Sequence, residues 1–314
     1  AGGVVVKGGK IAELVPRGGA PEKLDSTTYD DIVIKGLFRD TDWSSSSDIS
    51  GFPGAAPFIR GGHHSKDAFL PWDVRQNITF PAPDTANSDI LKDLEGGVSS
   101  IELRIDEEAG RGVCIRTVDD LKKTLEGVDL QLAPVGLDTT GASASSSIEA
   151  AALLAAYVKS TTTNQSELSL AFNIDPIGAL ARTGSLPLSA EQALGAAVDA
   201  SSGLRTEFSN STTLRADGRP AHESGASEAQ ELAFVAAAGA QYMRSLVSAG
   251  ANPTDANRQI LFTVAVGADY LLEMAKLRAL RRVWTRIACA FGVEENQATM
   301  KLHAVTSRRM LTAR

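Results

Sequence analysis

From residue 72 onward the chain alternates between short extended runs and longer helical ones, and this alternation restricts its fold more than any other feature. The extended runs, β-branched or apolar, are WDVRQNI (72–78), SSIELRI (99–105), LQLAPVGL (130–137), ELSLAFNI (167–174), STTLRA (211–216), QILFTVAV (259–266) and KLHAVTS (301–307). Helical segments separate them. TVDDLKKTLEG starts on Thr117, with Asp120 three residues on and Gly127 as a stop, and SAEQALGAAVDAS opens on Ser189 with Glu191 in its first turn. A longer helix over 268–291 places Leu277, Leu280, Trp284, Ile287 and Phe291 three or four residues apart, one apolar stripe for packing on a sheet. Strands and helices in strict alternation, several strands apolar throughout, predict a parallel sheet covered by helices. The leading fold is α/β, a (β/α)8 TIM-type barrel over 72–314. A doubly wound open sheet is the alternative, but no GxGxxG turn follows any strand, so a dinucleotide site has no support. The count stops after strand seven, so the expectation is an incomplete barrel from a longer polypeptide.

Residues 1–71 read differently. VPRGGAPEK and DTDWSSSSDISGFPGAAP are Gly-, Pro- and Ser-rich around one extended piece, DIVIKGLF at 31–38, which predicts an extended N-terminal arm and not a domain. The formal net charge is -7, which argues against a nucleic-acid or anionic-membrane surface. Cys114 and Cys289 belong to no CxxC or Cys/His cluster, and a reducing cytoplasm is the simplest location. The longest apolar stretch, AALLAAYV at 151–158, is far below the roughly 18–20 residues that cross a bilayer. AGGVVVKGGK at the start lacks the apolar centre of a signal peptide.

Several motifs, in order, carry a resemblance: PGAAPFIRGG, PWDVRQ, DPIGALARTG, HESGASEAQELAF, VGADYLLEMAKLRALRRVW and HAVTS. Together they resemble the barrel domain of adenosylcobalamin-dependent methylmalonyl-CoA mutases. DIVIKGLF, PWDVRQ and DPIGALARTG favour the branch of the small subunit of heterodimeric mutases, which binds no cobalamin. The resemblance implies a large catalytic subunit as partner, adenosylcobalamin on that partner and none here, and radical interconversion of methylmalonyl-CoA and succinyl-CoA by the assembly. It also implies that extended N-terminal segments lie at the subunit contact. Catalytic members carry a tyrosine seven residues after the arginine of an RG pair and an arginine before PW; counted from Arg60, those positions hold Asp67 and Leu70. They also carry a GYH motif. Anchored on Glu223, Gly225 and Ala226, this chain reads Gly218, Arg219, Pro220, with His222 two places on. The family's catalytic histidine is thus replaced by proline, which has no side-chain donor, and the tyrosine by a charged aspartate. The family's DxHxxG cobalamin-ligand motif does not occur in these 314 residues. The expected function is a noncatalytic structural subunit with no catalytic, cofactor or metal residue of its own; a catalytic barrel of a related acyl-CoA mutase is the alternative.

The remaining candidates have plain readings. His222 has no nearby sequence partner marking it as a general base, and local hydrogen bonding at a turn is the simpler role. His63 and His64 beside Asp67 lack the i, i+4 geometry of a helical metal-ligand pair and read as loop surface. Asp73 and Arg75, two apart on a strand, read as an internal ion pair. Lys276, Arg278, Arg281, Arg282 and Arg286 read as the solvated or salt-bridged face of their helix. The Leu, Phe, Ile and Val of the strands predict a barrel interior packed with apolar side chains, closed to the tail of a CoA ester.

Overall fold

The computed structural model describes residues 3–7, 10–15, 21–42, 50–64, 72–106, 112–139, 144–162 and 164–311. Asp67 and Leu70 lie outside the described residues. The N-terminal region holds two small antiparallel pairs, β1 (Gly3–Lys7) with β2 (Lys10–Val15), and β3 (Ser26–Thr27) with β4 (Val33–Ile34). The first pair was not expected from the sequence, which marks only one extended piece there.

The alternating part follows as β5 (Arg75–Ile78), α1 (Pro83–Glu95), β6 (Ser100–Arg104), α2 (Val118–Thr124), β7 (Val135–Asp138) and α3 (Ala144–Thr161). Next come β8 (Ala171–Ile174), α4 (Pro176–Thr183), α5 (Ala190–Glu207), β9 (Thr212–Asp217), α6 (Arg219–Glu223), α7 (Glu228–Ser248) and α8 (Pro253–Arg258). The series ends with β10 (Ile260–Val266), α9 (Tyr270–Ala290) and β11 (Lys301–Thr306). The helix starts are chemically specified. Thr117 with Asp120, Ser189 with Gln192 and Ser227 with Gln230 form reciprocal capping boxes, and Asp175 caps α4 through the Gly178 amide.

Seven parallel strands lie side by side in sequence order, β5 to β11. The sheet is curled into an incomplete barrel. Glu102 on β6 and His303 on β11 are five strand spacings apart, about 24 Å in a flat sheet, yet Glu102 Oε1 lies 3.8 Å from His303 Nδ1. Helices cover the outside: Ile101, Leu103, Val135, Leu137, Phe172, Leu214, Phe262 and Val264 join Ile90, Leu121, Leu154, Tyr242, Leu280 and Trp284 in one core. Each such side chain, fully buried, contributes about 1.5–3 kcal/mol.

This placement corrects the expected apolar interior. Along the strands the bulky apolar residues point outward to the helices, and the residues between them, Asn77, Glu102, Asp138, Arg215, Asp217 and His303, meet one another across the inside. Parallel strands beneath helices need an apolar layer on the helix side first, and the Leu, Ile, Phe and Val seen in the sequence are consumed there. Among the described residues no helix is long and apolar enough to cross a membrane.

Candidate functional site

The inner face is a buried charge network. Arg215, fully buried on β9, reaches Asp138 of β7 at 3.3 Å and Glu102 of β6 at 3.7 Å, and its Nε lies 3.8 Å from Asp217. Asn77 of β5 donates to Glu102 at 3.1 Å and to Asp138 at 3.4 Å. Arg75 donates to Ser100 and pairs with Asp73 at 3.4 Å, but the pair is not internal as expected, because the Asp73 side chain is 47% exposed just before β5. Burial, and then the charge of Asp138, push the Glu102 carboxyl up from its ordinary range. Burial, reinforced by Arg75, Arg219 and Arg215, lowers His303 to about 3, so its imidazole is neutral.

At the carboxyl ends of the strands, where barrel enzymes carry their active sites, arginines converge on Asp217. Arg219 donates from its backbone amide at 3.0 Å, from Nε at 2.9 Å and from Nη2 at 2.8 Å, and Arg182 at the end of α4 donates from Nη1 at 3.2 Å. Burial opposes ionisation of Asp217, but Arg219 and Arg215 outweigh it and hold its carboxyl at about 2. Asp175 nearby accepts from the Tyr242 hydroxyl at 2.5 Å and from the Gly178 amide at 2.8 Å; burial and Asp217 raise its pKa.

His222 has partners after all, supplied by the fold. Its Nε2 lies 2.7 Å from Ser307 Oγ and its Nδ1 3.4 Å from Glu231 Oε2. Glu231 is held in turn by Lys276 at 3.0 Å, and Lys276 by Glu273 at 2.6 Å and the Ala265 carbonyl at 2.7 Å. The Ser307–His222–Glu231 order is that of a nucleophilic triad, but all three side chains are buried, Ser307 at 1% exposure, and Ser307 Oγ also accepts from the Arg309 amide. Burial, ahead of the Arg309 and Lys276 charges, keeps His222 below its ordinary pKa. The cluster ties the end of β11 to α6, α7 and α9, so His222 makes long-range contacts in place of the local turn hydrogen bonding expected of it.

Pro220 sits buried in the first turn of α6, between Arg219 and the His222 cluster. The mouth of the barrel therefore offers no donor from that position. His63 and His64 are exposed in a loop where Gly54, at φ +74°, packs against the His64 amide. Among the described residues no group of three or more His, Cys, Asp or Glu could hold a metal ion. The expected basic face of α9 needs one correction: Lys276 is 2% exposed and lies in the core with Glu231 and Glu273, while Arg282 and Arg286 face solvent. Lys276 falls on the sheet side of the helix, and two carboxylates there replace the water it would lose.

Sequence reasoning missed Glu102, Asp138, Arg182, Arg215, Asp217, Glu231 and Ser307. The available signal was the alternation itself: polar or charged residues at every second position, Ser211, Thr213, Arg215 and Asp217 in STTLRAD and Ser100, Glu102 and Arg104 in SIELR, set one face of each strand apart from the other.

A family model for methylmalonyl-CoA mutase matches residues 27–314. The methylmalonyl-CoA mutase small subunit of Streptomyces virginiae is 35% identical over 312 residues, covering 99% of this chain and 47% of that protein. The small subunit of Propionibacterium freudenreichii subsp. shermanii is 32% identical, covering 96% and 46%. The methylmalonyl-CoA mutase of Escherichia coli (strain K12) is 25% identical, covering 96% and 44%. The chain spans about half the length of the curated relatives it matches.

Proposed function

Because the chain belongs to the methylmalonyl-CoA mutase family, we propose that it is the barrel of a noncatalytic small subunit. In this reading it assembles with a large subunit that binds adenosylcobalamin and interconverts methylmalonyl-CoA and succinyl-CoA in the cytoplasm. The observation that carries the proposal is the barrel mouth. Proline stands where the resemblance places the histidine that bonds the substrate thioester, and the neighbouring arginines are engaged by the chain's own Asp217. Nor do these residues fit a corrin cofactor, since His222, the histidine beside Pro220, is buried with its Nε2 on Ser307.

The arm supports assembly. Tyr29, Ile32, Val33, Leu37 and Phe38 are more than half exposed, with Tyr29 at 96%, while Asp30 anchors the β3–β4 pair by accepting from the Ser227 hydroxyl and the Ala229 amide at the start of α7. Apolar side chains held in place yet uncovered fit a partner surface. The intact polypeptide is expected to give a one-to-one complex on co-expression with its large chain, to show no turnover alone and to bind no cobalamin alone; deleting residues 1–42 is expected to weaken the complex at least tenfold. Stoichiometric cobalamin binding by the isolated polypeptide in equilibrium dialysis, or separate migration of the two chains in size exclusion, overturns the proposal.

A further inference from the structure

We infer that the barrel mouth contains a carboxylate-binding cage whose occupant is the chain's own Asp217, and that the cage takes a free monocarboxylate, formate or acetate, once that side chain is removed. The donors come from separate elements. Arg182 ends α4, Arg215 lies on β9, and Arg219 begins α6 and supplies both its guanidinium and its backbone amide. Arg219 binds both carboxylate oxygens, Nε to Oδ1 at 2.9 Å and Nη2 to Oδ2 at 2.8 Å, the two-pronged fit of a guanidinium to a carboxylate.

The donors also exceed what Asp217 can take. Nε and Nη1 of the fully buried Arg215 have no hydrogen-bond partner and face Asp217 and Glu102 at 3.8 and 3.7 Å. The Asp217 side chain is itself wholly buried, whereas that of Arg182 is 16% exposed, so Arg182 marks the side from which a small anion enters. Asp138 stays beside Arg215 and Arg219 at 3.3 and 3.4 Å, but without Asp217 the two-pronged face of Arg219 and the Nη1 of Arg182 lose their acceptor. A buried guanidinium short of an anion is costly, so the cage retains a demand for one. This goes beyond the noncatalytic reading and is independent of it. It does give that reading a physical cause, since an acyl substrate carrying a carboxylate meets arginines already paired.

The test is chemical rescue in the intact polypeptide. Asp217→Ala is compared with the wild type in sodium formate, acetate and chloride at equal ionic strength, by thermal melting and near-ultraviolet circular dichroism. Formate is expected to raise the melting temperature of the variant saturably by several degrees over chloride, with acetate weaker and the wild type indifferent. If the variant is unfolded in chloride, recovery of the native spectrum in formate supports the cage equally. Asp217→Asn keeps the cage filled by an amide and should respond less than a third as strongly. Equal behaviour in formate and chloride, or an equal formate response in Asp217→Asn, overturns the inference. Neither result bears on turnover or on cobalamin binding.

Discussion

His303 shows what placement on the inner face does to a single ionisable group. Its imidazole titrates at about 3 in the fold because burial and three guanidinium groups oppose its charge, against 6.5 for an unperturbed histidine. The folded pKa is depressed, so this contribution to stability is complete above about pH 6.5. It is lost as the pH falls toward 3, where the unfolded chain binds a proton that the fold refuses, at up to about 1.4 kcal/mol per pH unit. His303→Gln should remove that slope: urea unfolding at pH 7, 6, 5 and 4 is expected to give a flatter loss of stability than in the wild type. Parallel curves would place His303 in a wetter setting. None of this was legible in KLHAVTS, because the charges acting on His303 come from β5, β9 and α6, as much as 228 positions away along the chain. His222 makes the same point, since its partners Glu231 and Ser307 lie on other elements.

Among the elements, α7, β10 and α9 meet at Gly239. A Cβ there would stand 2.5 Å from the Phe262 ring and 2.9 Å from Trp284, rings that themselves pack at 4.3 Å between centroids. Helix propensity favours alanine over glycine by about 1 kcal/mol, but forcing atoms into a filled core costs about 1–3 kcal/mol or more. Gly239→Ala is therefore expected to destabilise the protein by up to about 2 kcal/mol in urea titration, and a gain in stability would show that the three elements can separate. The apolar stripe of α9 was readable from spacing, and Leu280 and Trp284 are fully buried. The fate of Lys276 was not, since helical periodicity assigns a face but cannot see the carboxylates waiting on it. Strand starts shifted for a similar reason: residues 130–133 are apolar enough for a strand, yet they form the turn before β7.

For the molecule as a whole, installing the two family side chains tests the proposed noncatalytic role. Asp67→Tyr combined with Pro220→His in the intact polypeptide is expected to remain without measurable mutase turnover when assayed alone with adenosylcobalamin. The Asp217 cage would still hold the mouth. Turnover above background would show that a working pocket lies behind two substitutions.

The sequence by itself determined the order of strands and helices, their parallel arrangement, the caps that start α2 and α5, and the family. Those depend on periodicity and on residues within a few positions of one another, which a linear chain displays directly. Only the tertiary structure decided which face of each strand turns inward. Both alternating sets look plausible in the line of letters, and the choice was made by the helices, which take the larger apolar set and leave Glu102, Asp138, Arg215, Asp217 and His303 to satisfy one another inside. A charge network of that kind is a property of the curl, which brings β6 and β11 within reach of each other, and no local pattern encodes it.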